Sequence, residues 1–254
     1  MTVTVATDGH VATCTLDRPE RLNAIDIETY DGIVGFAERL EQDDQLRVGI
    51  ITGAGERAFS AGADLKKLLA QIQERGHGKV PPFITAFGRV GLSKPLIAAV
   101  NGLAYGGGCE LALACDLRVV QRDARLGLPE PKRGLLPGWG GTQLLPRLVP
   151  PAIALELLLT GRDVLADEAL RIGLANRIAD DALAGARELA AEISANAPTA
   201  IRHIRRAALE GAERSLADGL ALEAEMMAAQ RTTDDSREGV AAFIEKREPV
   251  WPGR

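Results

Sequence analysis

The chain has 254 residues, 46% of them hydrophobic and 26% charged, with a formal net charge of −5. This is the composition of an ordinary globular protein of one or two domains, not of a collagenous or disordered chain, and its acidic balance disfavours a general nucleic-acid binder. No run approaches the ~18 apolar residues of a membrane span, and the three cysteines (Cys14, Cys109, Cys115) and three scattered histidines (His10, His77, His203) show neither a disulfide framework nor metal-ligand spacing.

The opening MTVTVATDGHVATCTL alternates like a strand and lacks the basic and apolar regions of a signal peptide, which predicts a cytoplasmic protein. Val11 to Leu16, Val48 to Thr52, Leu96 to Asn101 and Leu117 to Gln121 read as further strands. Ile33, Phe36, Ala37 and Leu40 supply a helical face after Asn23. Strands alternating with helices predict an α/β architecture. Beyond residue 190 only Gly211, Gly219, Gly239 and Gly253 remain of 27 glycines. Apolar residues there recur at helical spacing: Ile193, Ala197, Ile201, Ile204 and Ala208, then Leu216, Leu220 and Met227, then Val240, Phe243 and Ile244. Pro198 divides the first two helices of this part. We read residues 1–197 as an α/β core and 198–254 as a C-terminal helical region.

Two segments share a plan. Val48-Gly-Ile-Ile-Thr-Gly53 and Ile97-Ala-Ala-Val-Asn-Gly102 are buried-strand patterns ending in a polar residue and glycine. Each leads to a small-residue turn, Ser60-Ala-Gly-Ala-Asp64 or Gly106-Gly-Gly108, and then to a helical pattern. A glycine turn opening a helix exposes backbone N–H groups without intrahelical partners, and the helix dipole adds positive potential. Two such turns brought together clamp one oxygen between two amides, an oxyanion hole; taken singly, each turn equally fits glycine used for tight packing.

Glu110 is the one charged residue in the apolar run from Cys109 to Cys115. Its burial demands pairing or a function, unless the helix N-terminus alone satisfies it. Glu130 stands between Pro129 and Pro131, on a backbone stiffened from both sides, which suits a positioned carboxylate and a plain surface turn alike. Gly53-Ala-Gly-Glu-Arg-Ala58 imitates a dinucleotide fingerprint, but Ser60-Ala-Gly62 interrupts where its helix should continue. No nucleophile elbow is present, and His203, between arginines, reads as a surface residue.

These motifs together resemble the crotonase superfamily, specifically its enoyl-CoA hydratase group. The resemblance spans Arg18-Pro-Glu-Arg-Leu-Asn-Ala24, Ala58-Phe-Ser-Ala-Gly-Ala-Asp-Leu-Lys66, Lys94-Pro-Leu-Ile-Ala-Ala-Val-Asn-Gly102 and Gly106-Gly-Gly-Cys-Glu-Leu-Ala112. It continues through Pro129-Glu-Pro-Lys-Arg-Gly-Leu135, Pro137-Gly-Trp-Gly-Gly-Thr-Gln143, Leu159-Thr-Gly161 and Phe243-Ile-Glu-Lys-Arg247. It implies a spiral of ββα units with a C-terminal helical region that covers the CoA site and assembles the chain as trimers or hexamers. It also implies that the amides of Ala63 and Gly107 form the oxyanion hole and that Glu110 and Glu130 are the catalytic pair. Substrate contacts are implied at Arg21, Ala24, Ala61, Ala63, Asp64, Leu65, Lys66 and Gly107.

The implied reaction is reversible addition of water across the double bond of a 2-enoyl-CoA. Glu110 activates the water and Glu130 exchanges the proton at the α-carbon. An acyl-CoA partner is implied, with no cofactor beyond the CoA of the substrate, no metal, no nucleic acid and no membrane. Arg21, Lys66 and Lys67 are the cations nearest the motifs for the CoA phosphates. Trp139, with Gly138, occupies a loop position that is usually small in the family; its ring either limits the acyl pocket or turns outward against the C-terminal helices. Competing readings are an enoyl-CoA isomerase, a specialised hydroxyacyl-CoA dehydratase, and a non-catalytic acyl-CoA- or RNA-binding relative.

Overall fold

The computed structural model describes residues 2–64, 66–67 and 80–254; Leu65, an implied CoA contact, and most of the helical run expected after it lie outside these. The chain opens with an antiparallel hairpin, β1 (Val3–Asp8) and β2 (Val11–Leu16). Four strands then extend β2 in parallel: β3 (Val48–Gly53), β5 (Leu96–Val100), β7 (Leu117–Gln121) and β10 (Arg177–Ala179), in the order β1-β2-β3-β5-β7-β10. Every residue of β3 and β5 is buried, as continuous apolar strands of a parallel sheet covered on both faces must be.

Alternation along these strands assigns the two faces. Val48 and Ile50 meet Ala182, Ala186 and Ala190 of one helix (Ala182–Ser194), while Ile51 joins the main core beneath Ile33, Phe36 and Leu40 of α1 (Ile27–Gln42). Small residues let both helices approach closely. A Cβ on Gly49 would stand 2.6 Å from both Leu40 and Leu96. Two buried cations finish helix ends: Lys94 donates to the Leu40 and Asp43 carbonyls, and Arg118 to those of Ala112, Cys115 and Leu174. Each neutralises the negative end of a helix dipole.

Three strands of this sheet are each succeeded along the chain by a short strand of a second, smaller sheet. There β4 (Ala58–Ser60), β6 (Leu103–Tyr105) and β8 (Arg125–Gly127) pair in parallel, with β9 (Val164–Leu165) antiparallel at the edge. So β3-β4, β5-β6 and β7-β8 are three copies of one unit, each placing one strand in each sheet. This is the expected spiral, with a third turn beyond the two visible in sequence. The intervening helices are α2 (Phe83–Val90), α3 (Gly107–Ala114), α4 (Gly141–Leu148), α5 (Pro151–Thr160), α6 (Ala166–Arg171) and α7 (Ala182–Ser194).

The C-terminal region holds α8 (Pro198–Ala212), α9 (Leu216–Arg231) and α10 (Asp234–Glu245). It is tied to the core by Arg205, which pairs with Asp116 at 2.9 Å and donates to the Leu92 carbonyl. Much of its apolar stripe stays exposed on the single chain, including Leu216, Leu220, Phe243 and Ile244. His203 is not the surface residue its arginine neighbours suggested: it is half-buried and its Nδ1 bonds the Gln230 side chain at 2.8 Å. The helix packing of α8 on α9 turns it inward.

Candidate active site

The three parallel strands of the small sheet end at one edge, and each delivers a different segment there, at the carboxyl ends where α/β sheets form ligand crevices. Beyond β4 lie Gly62 and Ala63, beyond β6 lie Gly106 to Glu110, and beyond β8 lies Glu130. Glycine is required at the crossing of the first two segments. Gly62 has φ +92°, and a Cβ on it would meet the Tyr105 carbonyl at 2.6 Å and the Gly107 nitrogen at 3.0 Å. A Cβ on Gly108 would fall 2.3 Å from the Ser60 carbonyl oxygen.

This crossing leaves two amides available. The Ala63 segment is fixed by bridge bonds to Ile25 on either side: the Ile25 N–H donates to Gly62 and the Asp64 N–H to Ile25, both at 2.8 Å. That pattern aims the Ala63 N–H away from Ile25. Gly107 is the first residue of α3, so its N–H precedes the intrahelical ladder. Among the described residues neither amide has an acceptor. The site that a Cβ on Gly107 would fill lies 3.4 Å from the Ala63 nitrogen.

The carboxylates differ in how they are held. Glu110, on the first turn of α3, is 2% exposed, and its Oε1 accepts from the Trp139 N–H at 2.7 Å and the Gly141 N–H at 2.8 Å. Burial pushes its pKa up to about 7, against the pull of those two amides, with a further push from Glu130. Glu130 opens a short 3-10 turn (Glu130–Arg133) closed by Gly134 at φ +68°. Its Oε2 is buried without a hydrogen-bond partner among the described residues, and burial raises its pKa above the ordinary carboxylate range. Glu130 Oε1 lies 3.0 Å from where a Cβ on Gly106 would sit. Two carboxyl groups with raised proton affinity therefore flank two unpaired amides, a set suited to moving protons beside a developing oxyanion.

Known proteins share this arrangement of chain. Residues 6–254 match the family described as enoyl-CoA hydratase/isomerase. A short-chain-enoyl-CoA hydratase of Clostridium acetobutylicum is 40% identical, over 94% of this chain and 93% of its own. The (E)-benzylidenesuccinyl-CoA hydratase of Thauera aromatica is 39% identical, with all of both chains covered. The crystal structure of enoyl-CoA hydratase from Mycobacterium tuberculosis H37Rv superposes with a TM-score of 0.91 at 38% identity, covering 100% of this chain and 99% of that one. The chain belongs to the enoyl-CoA hydratase/isomerase family.

Around the edge of this hydratase-family site, the expected residues take varied positions. Ala24, Ala61 and Ala63 are half-buried beside it, and Arg21 and Lys66 are exposed. Asp64 is engaged: it pairs at 2.9 Å with Arg18, which also reaches Asp26 at 3.2 Å and the Ala24 carbonyl. Lys67, expected to be available for phosphate, lies 3.2 Å from the same Asp26, so its charge is already countered. Gly138 is exposed on the rim. Trp139 turns inward, not towards the C-terminal helices: it is 9% exposed, and its ring meets Phe83 edge-on and Tyr30 tilted, with centroids 5.5 and 6.0 Å away. A Cβ on Gly107 would touch that ring at 2.6 Å.

Sequence reading missed the bracing of the first turn. Asn23, at φ +54°, receives the Arg18 N–H and donates to the Ala54 and Ala58 carbonyls, while the Ser60 hydroxyl donates to the Asn23 carbonyl and receives the Gly62 N–H. The Arg-x-x-x-x-Asn spacing of Arg18 and Asn23 was its only trace. The dinucleotide-like Gly53 stretch leads into the strand β4 instead of a helix, and Asn101 fastens it by donating to the Gly53 and Gly55 carbonyls. Among the described residues no cluster of metal-ligating side chains occurs, and no helix is long and apolar enough to cross a membrane.

Proposed function

We propose that this protein hydrates a 2-enoyl-CoA thioester, with Glu110 and Glu130 as its catalytic residues and the amides of Ala63 and Gly107 as its oxyanion hole. The observation that carries this reading is the convergence of two unpaired amides with the buried Glu110 and the half-buried Glu130, whose Oε2 is buried, at the ends of β4, β6 and β8. Attack of water at the β-carbon drives negative charge onto the thioester oxygen as an enolate. Two preorganised N–H donors stabilise that charge where water is excluded; losing one donor of this kind typically costs ~10²–10³-fold in rate.

In this reading Glu110, fixed by two amide donors that oppose the effect of its burial, orients water and accepts its proton. Glu130, whose free Oε2 is desolvated and readily protonated, delivers the proton to the α-carbon. Opposite roles for two carboxyl groups arise from their different surroundings. Arg21 and Lys66, the exposed cations beside the first turn, face the CoA phosphates, and CoA enters as part of the substrate. Trp139 and Gly138 bound the acyl group. The exposed apolar stripe of α8 to α10 supports self-association as a trimer or hexamer, and the chain works in the cytoplasm with no further cofactor.

The test is a spectrophotometric screen of 2-enoyl-CoA thioesters from four carbons upward, following loss of the conjugated absorbance. Hydration of at least one member is expected. Migration of the double bond without water uptake would replace hydratase by isomerase.

A further inference from the structure

A cavity of about 310 Å3 lies at the opposite strand ends from the catalytic edge, at the starts of β2, β3 and β5. Its size is at the small end of ligand pockets. His10, Arg47 and Lys94 come from the residues leading into those three strands, Arg202 from α8, and Val250 to Gly253 close the outer side. None of these residues takes part in the catalytic arrangement.

The charges around it are unbalanced. Arg47, Lys94 and Arg202 line the cavity, with Asp44 as the acid among the lining residues. Among the described residues no carboxylate stands within ion-pair distance of any of the three cations, although Arg205 and Arg206 of α8 and Arg214 just beyond it are all paired. Most nearby acids hold other partners: Glu41 accepts from Ser93, Asp43 from Gln45, and Asp235 from Thr199 and Gly253, while Asp44 lies in the wall itself. Lys94 is 3% exposed and gives two of its three N–H bonds to carbonyls. Arg47 donates to the Ser194 and Trp251 carbonyls, and Arg202 gives one bond, to Gly253. Each retains donors, and burial pulls the pKa of both Lys94 and Arg47 down, opposed by Glu41, Asp44 and Asp43 at Lys94 and by Asp235 at Arg47. The rest of the wall is apolar, with Ile193, Ile201 and Trp251 prominent.

We propose that this cavity binds a small organic carboxylate, its head on Arg202, Lys94 and Arg47 and its apolar body against Ile193, Ile201 and Trp251. Charge-assisted bonds to a carboxylate would use the donors these cations retain, none of them in an ion pair among the described residues. Because Arg47 and Arg202 also hold the carbonyls of Trp251 and Gly253, the ligand fastens the C-terminal segment to the core.

Calorimetric titration of the full chain with sodium hexanoate tests this, with saturating butyryl-CoA present to fill the catalytic site. One site is expected, weakened about ten-fold or more in Arg202→Gln and closed in Ile201→Trp, which fills the cavity; both variants should retain hydration activity, showing that they fold. No heat of binding, binding indifferent to both substitutions, or binding abolished by butyryl-CoA overturns the proposal. Equal binding of inorganic phosphate in a parallel titration overturns the organic carboxylate in favour of a simple oxyanion.

Discussion

Glu110 and Glu130 stand at the same sheet edge in opposite kinds of support. Glu110 belongs to the second ββα unit, on a true helix, and its Oε1 is clamped by the Trp139 and Gly141 amides. Glu130 ends the third unit, where the helix is reduced to a 3-10 turn that opens at Glu130 between Pro129 and Pro131, and its buried Oε2 has no partner among the described residues. Backbone donors favour a charged carboxylate and desolvation a neutral one; desolvation is the larger influence at both residues, opposed by two clamping amides at Glu110 and by its own backbone and Arg133 at Glu130. One repeated unit, varied at its last few residues, thus yields one carboxyl group clamped by two backbone amides and another with a free buried oxygen, both with raised proton affinity.

The strongest way to break this comparison is to remove each proton in turn. Glu110→Gln and Glu130→Gln should each lower kcat by ~10²–10⁴-fold, the usual range for general acid–base groups, while binding of a saturated acyl-CoA changes little. A variant with near-normal kcat removes its residue from the chemistry.

The second test reads the burial of Glu110 as stability. Its folded pKa of about 7 lies above its ordinary value of 4.5. The native state therefore keeps a proton that the unfolded chain releases between those values, so stability is fully present below about pH 4.5 and falls as pH rises through about 7. The loss is at most about 3 kcal/mol, at 1.36 kcal/mol for each pH unit of difference. Gln at this position still accepts the two amides but has no charge to bury. Urea unfolding at pH 5 and pH 8 should show a smaller decline for Glu110→Gln than for the parent; equal declines would mean that the clamp fully offsets desolvation.

Trp139 joins the two regions, because its N–H clamps Glu110 while its ring packs under Gly107. Trp139→Ala should move the kcat/KM profile towards longer acyl chains, each admitted methylene contributing ~1–3 kcal/mol to discrimination. Profiles that are parallel across the chain-length series would make the ring structural only. The smallest effect is expected at Pro131→Ala. Loosening a turn of this kind costs about 0.4–1 kcal/mol, so kcat should fall by no more than about five-fold with KM unchanged; a larger fall would mean that Glu130 depends on that ring for its position.

Part of this architecture was legible in the residues. The runs Val11 to Leu16 and Leu117 to Gln121, rich in valine and threonine, coincide with β2 and β7, because such residues fit a pleated, half-buried surface. The turn glycines marked two ββα units. The third escaped because β8 has only three residues and leads into Pro129-Glu130-Pro131, with no glycine turn to announce it. The clamp on Glu110 was also invisible: its donors lie 29 and 31 residues onward, and backbone amides leave no compositional mark. The Arg18–Asp26–Asp64–Lys67 cluster likewise joins residues far apart in sequence, a pairing that only the fold decides. It explains why Lys67 is less available than its motif suggested.

The central claim is that the two carboxyl groups serve one hydration step, Glu110 taking the water's proton and Glu130 supplying the α-carbon's. A double-mutant cycle on kcat/KM for the best enoyl-CoA, using Glu110→Gln, Glu130→Gln and their combination, measures this directly. Groups that serve a single step lose little more together than the worse loses alone, so the combined variant should match the weaker single variant to within a few-fold. If the two losses multiply in full, the carboxylates act independently and the shared mechanism is wrong.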